Sequence, residues 1–125
     1  ITKLGEAVLR ECRIQDENNR QSSLDCNNEH LATWFDNEQR GVWWRSTEAY
    51  REALKQGIAK EQARSLLPEG LTPTRLYMQG TIRSWVHYIQ VRGGEDTQKE
   101  HRNIAIQARN MLKQVAPITH DAFFG

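Results

Sequence analysis

Apolar side chains recur at helical spacing along much of the chain. The clearest case is TIRSWVHYIQVR (81–92), where four apolar residues stand at positions i, i+3, i+4 and i+7: Ile82, Trp85, Val86 and Ile89. This period is typical of an amphipathic helix with one buried side. We therefore predict a helix over this segment, ended by the glycine pair that follows it.

A longer helix is predicted over about 28–56. Asn27 or Asn28 is its N-cap, and Gly57 stands just past its end. Gly41 lies inside this helix and is a possible position for a break or kink. Its predicted apolar face carries Leu31, Trp34, Phe35 and Val42, and the spacing continues through Trp43, Tyr50, Leu54 and Gly57.

Two further helices complete the helical prediction. A short one, about 59–67, is ended by Pro68. The last one follows a capping box made by Thr97 and Glu100 and is closed by Pro117. Its predicted buried stripe is Ile104, Ala108, Met111, Leu112 and Val115.

The remaining segments indicate little regular structure. TRLYMQG (74–80) alternates apolar and polar residues and is predicted as a strand. Residues 1–26 show no sustained helical period, and 18–28 is a polar, turn-forming linker. The predicted fold class is thus α+β, predominantly helical with one or two strands, in a single domain over 1–125.

Composition narrows the function classes. The formal net charge is only +1, which argues against a nucleic-acid partner bound through bulk charge. No apolar run is long enough to span a bilayer, so no membrane partner is expected. Cys12 and Cys26 form no CxxC pair and are interpreted as reduced thiols of a cytoplasmic protein. Because the sequence begins at Ile1, it is expected to be processed, shortened for expression, or part of a longer chain.

Three polar side chains on the 81–92 helix are candidates for binding an anion. At about 100° per residue, Arg83 and His87 lie on one flank, whereas Arg92 lies about 180° from Arg83. The two arginines therefore cannot easily grip the same small group. The alternative is that both are surface residues paired with carboxylates such as Glu95 or Asp96.

Other sites offer weaker signals. Arg64 stands just before the loop at Pro68 and is either a ligand-binding residue or part of a structural salt bridge. His87 has no partner at metal-ligand spacing, so no metal is predicted. The chain has no GxSxG, Walker or GxGxxG motif.

An ordered series of motifs resembles the C-terminal half of the flavin-dependent thymidylate synthases (the ThyX family). The series is AKEQARSLLP (59–68), TPTRLYMQGTIRSWVHYIQVR (72–92) and TQKEHRNIA (97–105), and RIQDENNRQSSLD (13–25) resembles a linker of some members. The resemblance covers most of residues 13–120. It implies the ThyX-type fold, a homotetramer, and conversion of deoxyuridylate (dUMP) to dTMP. FAD recharged by NADPH would be the hydride source and methylenetetrahydrofolate the carbon donor.

The resemblance also implies roles for individual residues. Arg64 matches an arginine that binds the nucleotide from a neighbouring subunit, and Arg92 matches the catalytic arginine that favours ionisation of the pyrimidine N3. The flavin-contacting positions are matched by Thr81, Ile82, Arg83 and His87. The family usually carries Asn where this chain has Thr81.

One family motif has no counterpart here. The N-terminal "RHR…S-x-R-Y" signature, which supplies much of the flavin and nucleotide grip, is absent from this sequence. The chain is therefore expected to be the C-terminal part of such an enzyme, with little or no activity alone. The alternative is a catalytically silent helical module that self-associates or binds an anionic partner.

Overall fold

The structure, a computed structural model, describes residues 4–20 and 22–125. The predictions for residues 1–3 and 21, placed above in the non-helical start and the polar linker, lie outside the described residues. The chain forms two compact units. The first contains the residues up to Arg13 together with Asp25–Leu76, and the second contains Ile14–Leu24 and Tyr77–Gly125.

Most of the described residues are helical. In chain order the elements are β1 (Arg13–Gln15), β2 (Ser23–Asp25), α1 (Glu29–Lys55), α2 (Lys60–Ala63), a 3₁₀ turn (Arg64–Leu66), α3 (Ile82–Arg92), α4 (Lys99–Val115) and α5 (Pro117–Phe124). β1 and β2 form a two-stranded antiparallel sheet. The predicted α+β, mainly helical class is confirmed. Among the described helices, none combines the length and apolarity needed to cross a bilayer.

The ends of α1 follow the predicted local signals. The Asn28 side chain accepts a hydrogen bond from the Leu31 N–H at 3.1 Å, which makes it the N-cap. The helix runs without interruption through Gly41, so no break occurs there. Gly57, just beyond the helix, has a φ of +82°, a conformation that glycine adopts without steric cost.

The buried side of α1 agrees with the prediction at Tyr50 and differs from it elsewhere. Its buried residues are Gln39, Thr47, Tyr50 and Ala53, and Leu31, Trp34 and Val42 are exposed. The polar members of the buried side have internal partners. The Gln39 amide accepts from the Arg10 N–H at 2.7 Å and donates to the Arg10 carbonyl at 3.0 Å, while the Thr47 hydroxyl donates to the Trp43 carbonyl. These bonds remove the cost of burying polar groups and fix the segment around Arg10 on the helix.

The two glycines of this region provide a matched pair of stability predictions. Apart from the chain neighbours and the backbone of the same helix, no atom lies within 4 Å of a Cβ added to Gly41 or to Gly57, so neither substitution causes a clash with another part of the unit. Gly57→Ala places an L-residue at positive φ and is expected to destabilise the first unit by about 1–2 kcal/mol. Gly41→Ala, in the interior of a regular helix, is expected to stabilise it by about 0.5–1 kcal/mol.

Urea denaturation followed by circular dichroism measures both changes. Equal effects of the two substitutions would contradict the assignment of one glycine to a helix interior and the other to a left-handed turn.

The second unit is built around α3. Its buried core contains Val86, Ile89 and Leu112, with Tyr88 and Phe124 among the partly buried residues packed against them. The α3 prediction is confirmed in its bounds, although Ile82 is 52% exposed and does not belong to the core.

The prediction for α4 is correct in type and wrong in detail. The helix begins at Lys99, and its N-cap Gln98 makes no side-chain capping bond, so the capping box at Thr97 and Glu100 was placed too early. The helix buries Ala105 and Leu112. Three members of the predicted stripe are instead exposed by more than half: Ile104, Met111 and Val115.

The predicted strand over 74–80 is also wrong, since no strand forms there. A strand requires a partner backbone, and alternation in the sequence does not supply one. The two strands that do form, β1 and β2, lie at the ends of a segment interpreted from the sequence as a linker.

Candidate functional site

The start of α3 is fixed by a side-chain cap. The Thr81 hydroxyl accepts a hydrogen bond from the Ser84 N–H at 3.2 Å and lies 3.0 Å from the Ser84 hydroxyl. This cap satisfies one of the free N–H groups at the helix start. The Thr81 side chain thus has a structural role, and it sits at the position where the resembled family usually has Asn.

The buried core residues fix the rotation of α3 and so determine which side chains face solvent. Val86 and Ile89 face the core, and Arg83, His87 and Arg92 are all exposed. The two arginines flank the buried pair, since Arg83 lies about 60° from Val86 and Arg92 about 60° from Ile89 on the other side. Arg83 and His87 are one turn apart and lie about 40° from each other around the axis. Arg92, in the last turn, lies about 180° from Arg83. The predicted helix over 81–92 is thus present as α3, and Arg83 and Arg92 project from opposite sides of it.

These three side chains form no hydrogen bond or salt bridge with any residue in the described part of the chain. The alternative of pairing with Glu95 or Asp96 is therefore not found among the described residues. With respect to the described residues, the guanidinium groups of Arg83 and Arg92 therefore keep all their hydrogen-bond donors for a ligand. Guanidinium stays charged and offers planar, bidentate donors to phosphate, carboxylate or an ionised base.

Arg64 lies in the first unit, at the start of the 3₁₀ turn. The preceding Ala63 is almost fully buried, at 1% exposure, and packs with Tyr50 and Ala53. This anchor leaves the neighbouring Arg64 exposed. Arg64 forms no salt bridge within the described residues, so the structural alternative for it is not found either.

Arg64 lines a pocket of about 520 Å³ that belongs wholly to the first unit. Two cations, Lys60 and Arg64, and one carboxylate, Glu69, stand at its wall. The remaining lining residues are Leu4, Gly5, Tyr50, Leu67, Thr72, Pro73 and Thr74. Hydroxyl and cationic groups of this kind suit a phosphorylated, polar ligand.

Lys60 and Tyr50 were missed by the sequence analysis. The signal for Lys60 was available, because Lys60 and Arg64 are four residues apart in KEQAR and such residues share one side of a helix. The apolar spacing of α1 included Tyr50, but its place at the pocket depends on how α1 packs and has no signal in the sequence.

A second pocket, of about 340 Å³, lies in the second unit between the C-terminal ends of α3 and α5 and the middle of α4. It contains none of the residues predicted as a site. One wall is Arg109, whose guanidinium donates to the Phe124 carbonyl at 3.0 Å and stacks 5.1 Å from the Phe124 ring centre. Arg109 therefore has a structural role in holding the end of α5. Among the described residues no group of three potential metal ligands occurs.

The two mainly helical units expose arginines whose chemistry suits anionic ligands, and comparison with known proteins identifies the family. The family described as "Thymidylate synthase complementing protein" matches residues 8–118, so this chain belongs to that family.

Similar proteins agree with this assignment. The chain is 52% identical to the flavin-dependent thymidylate synthase of Synechocystis sp. over 107 residues, which are 86% of this chain and 49% of that protein. It is 50% identical to a probable flavin-dependent thymidylate synthase of Paramecium bursaria Chlorella virus 1, again over 86% of this chain and 49% of the relative. A more distant relative, the enzyme of the same name from Kosmotoga olearia, is 27% identical over 89% of this chain and 48% of its own length.

The family resemblance found in the motifs is therefore confirmed. The chain spans about half the length of the curated relatives it matches.

Proposed function

We propose that this chain forms part of a flavin-dependent thymidylate synthase that converts dUMP to dTMP. Methylenetetrahydrofolate is the carbon donor and NADPH-reduced FAD the hydride source. The observation that carries the proposal is the arrangement of α3, which presents Arg83 and His87 on one side and Arg92 on the other, within a chain 52% identical to a relative of that name. Its cytoplasmic location and assembly as a homotetramer belong to the same proposal.

The flavin side of α3 is assigned to Arg83 and His87, with Thr81 and Ile82 at the helix start. Their chemistry fits FAD, because an unpaired guanidinium can bind a phosphate and an exposed apolar residue can lie against a ring. Bound FAD would supply the hydride that completes the methyl group. The Thr81 hydroxyl already caps α3, so we assign this residue to positioning the helix start as well.

Nucleotide binding is assigned to Arg92, on the other side of α3, and to Arg64, in the 3₁₀ turn of the first unit. Arg92 would donate to the pyrimidine and stabilise negative charge at N3, a role suited to a cation that does not titrate near neutral pH. Arg64, with Lys60 beside it at the pocket wall, would bind the nucleotide held by a neighbouring subunit. In this proposal no side chain forms a covalent bond to the substrate.

The remaining residues that bind FAD and dUMP are proposed to come from protein outside these 125 residues. We therefore expect the 125 residues alone to bind FAD weakly and to release little or no tritium from dUMP labelled at C5.

One observation favours a second candidate, a silent module that self-associates. The exposed side of α4 carries Ile104, Met111 and Val115, and Ile118 follows on α5. An apolar side of this kind fits an interface between proteins. The two candidates differ in flavin binding, because a module without the synthase function would not retain FAD.

Flavin content tests the assignment of Arg83. In the full-length protein, Arg83→Ala is expected to weaken FAD binding by about 10- to 100-fold, which corresponds to losing one or two charged hydrogen bonds of about 1.5–3 kcal/mol in total. The matched control is Arg45→Ala, which removes an exposed arginine from α1. FAD affinity is measured by equilibrium titration, with flavin absorbance as the signal.

Unchanged FAD affinity in the Arg83 variant, or an equal loss in the Arg45 variant, would contradict this assignment. A colourless wild-type protein that takes up no FAD would instead favour the silent module.

A further inference from the structure

The two cysteines flank the small sheet of the chain symmetrically. Cys12 immediately precedes β1, and Cys26 immediately follows β2. Because the strands are antiparallel and equally long, continuing their pairing by one residue places Cys12 opposite Cys26. Opposed residues of an antiparallel pair have Cα atoms about 4.5–5.5 Å apart, within the range that a disulfide requires.

The surroundings of the two thiols agree with this register. The Cys26 thiol donates to the Asn28 carbonyl at 3.6 Å. Both cysteines are half-buried, and neither is in a disulfide. Desolvation and the neighbouring Cys26 raise the pKa of Cys12, which keeps this thiol protonated near neutral pH.

The sheet between the cysteines has little stability of its own. Each strand has only three residues, and isolated two-stranded hairpins are marginal in water. A covalent link at the open end of the hairpin would hold the pairing of β1 with β2 in register.

We propose that Cys12 and Cys26 are a reversible thiol-oxidation site, at which an intramolecular disulfide closes the base of the β1–β2 hairpin. The oxidant is a low-molecular-weight disulfide. One cysteine thiolate attacks it, forming a mixed disulfide and releasing one thiol; the second cysteine thiolate then attacks the first Sγ and releases the other thiol. One S–S bond replaces two S–H bonds, two protons pass to solvent, and the two electrons reduce the oxidant to two thiols.

Equilibration of the 125-residue chain in glutathione buffers of graded potential tests the proposal. After the exchange is stopped with acid, the intact mass is measured. The expected main product is a monomer that has lost two hydrogens and carries no glutathione. Trypsin cleavage after Arg13 and Arg20 should then yield a linked pair of peptides, one containing Cys12 and the other Cys26.

The single variants Cys12→Ser and Cys26→Ser are matched controls, because each lacks the partner that resolves the mixed disulfide. Both are expected to accumulate a glutathione adduct under conditions in which the wild type accumulates none. The wild type carrying one or two glutathiones as its main product, or linking to a second chain, would overturn the proposal. Circular dichroism of each variant verifies that its helices are intact.

Discussion

Replacing Arg92 with alanine in the full-length protein is expected to lower the rate of dTMP formation by about 10²- to 10³-fold, while leaving FAD binding unchanged. The magnitude is that of removing one group that stabilises charge developing during the reaction. Arg92 is exposed, lies in the last turn of α3 and makes no hydrogen bond within the described residues, so its loss removes little packing. Tritium release from C5-labelled dUMP measures the rate, and flavin absorbance measures the bound cofactor.

Arg83→Ala is the matched control, because it removes the same type of side chain from the same helix on the opposite side. It is expected to impair FAD binding first, and saturating FAD should restore part of its activity. No added FAD is expected to restore the Arg92 variant. Wild-type turnover in the Arg92 variant, or a loss of FAD equal in the two variants, would discredit the division of roles.

The second large effect concerns the core of the second unit. Leu112→Ala is expected to reduce the free energy of unfolding by about 3 kcal/mol, because it leaves a cavity next to Val86 and Ile89. Leu112 is only 6% exposed, so its side chain is almost fully removed from water. Urea denaturation followed by circular dichroism measures the change.

Met111→Ala is the control at the adjacent position. Met111 is 56% exposed, and its replacement is expected to change stability by less than about 0.5 kcal/mol. Both residues belong to the apolar stripe predicted from the sequence, so the two variants distinguish that stripe from the observed buried side of α4. Similar losses in the two variants would show that α4 is rotated from the orientation described here.

Local signals predicted α1 to α4 but not α5, because Pro117 was interpreted as the end of α4 although proline is also favoured at the first position of a helix. Asn28 caps α1 and Gly57 follows it, because a cap and a left-handed glycine depend only on neighbouring residues. The bounds of α3 were predicted for the same reason. The three-residue strands β1 and β2 were missed, since segments this short in a polar stretch show no distinctive period.

The buried faces were harder to predict, because they depend on tertiary partners. Gln39 occupies a core position through its two bonds to the Arg10 backbone, and a hydrophobic pattern gives no sign of that pairing. On α4 the pattern contains two adjacent apolar sides, and only packing selects the one with Ala105 and Leu112. The separation of Arg83 from Arg92 was predictable because it follows from helix geometry alone.

An experimental structure of the full-length protein with FAD and dUMP bound will show whether the two sides of α3 contact two different ligands. We predict that Arg83 and His87 contact the flavin cofactor and that the Arg92 guanidinium lies within hydrogen-bonding distance of the uracil ring. Convergence of the two arginines on one ligand group, or their engagement by protein carboxylates away from both ligands, would rule out this division of α3 between two ligands.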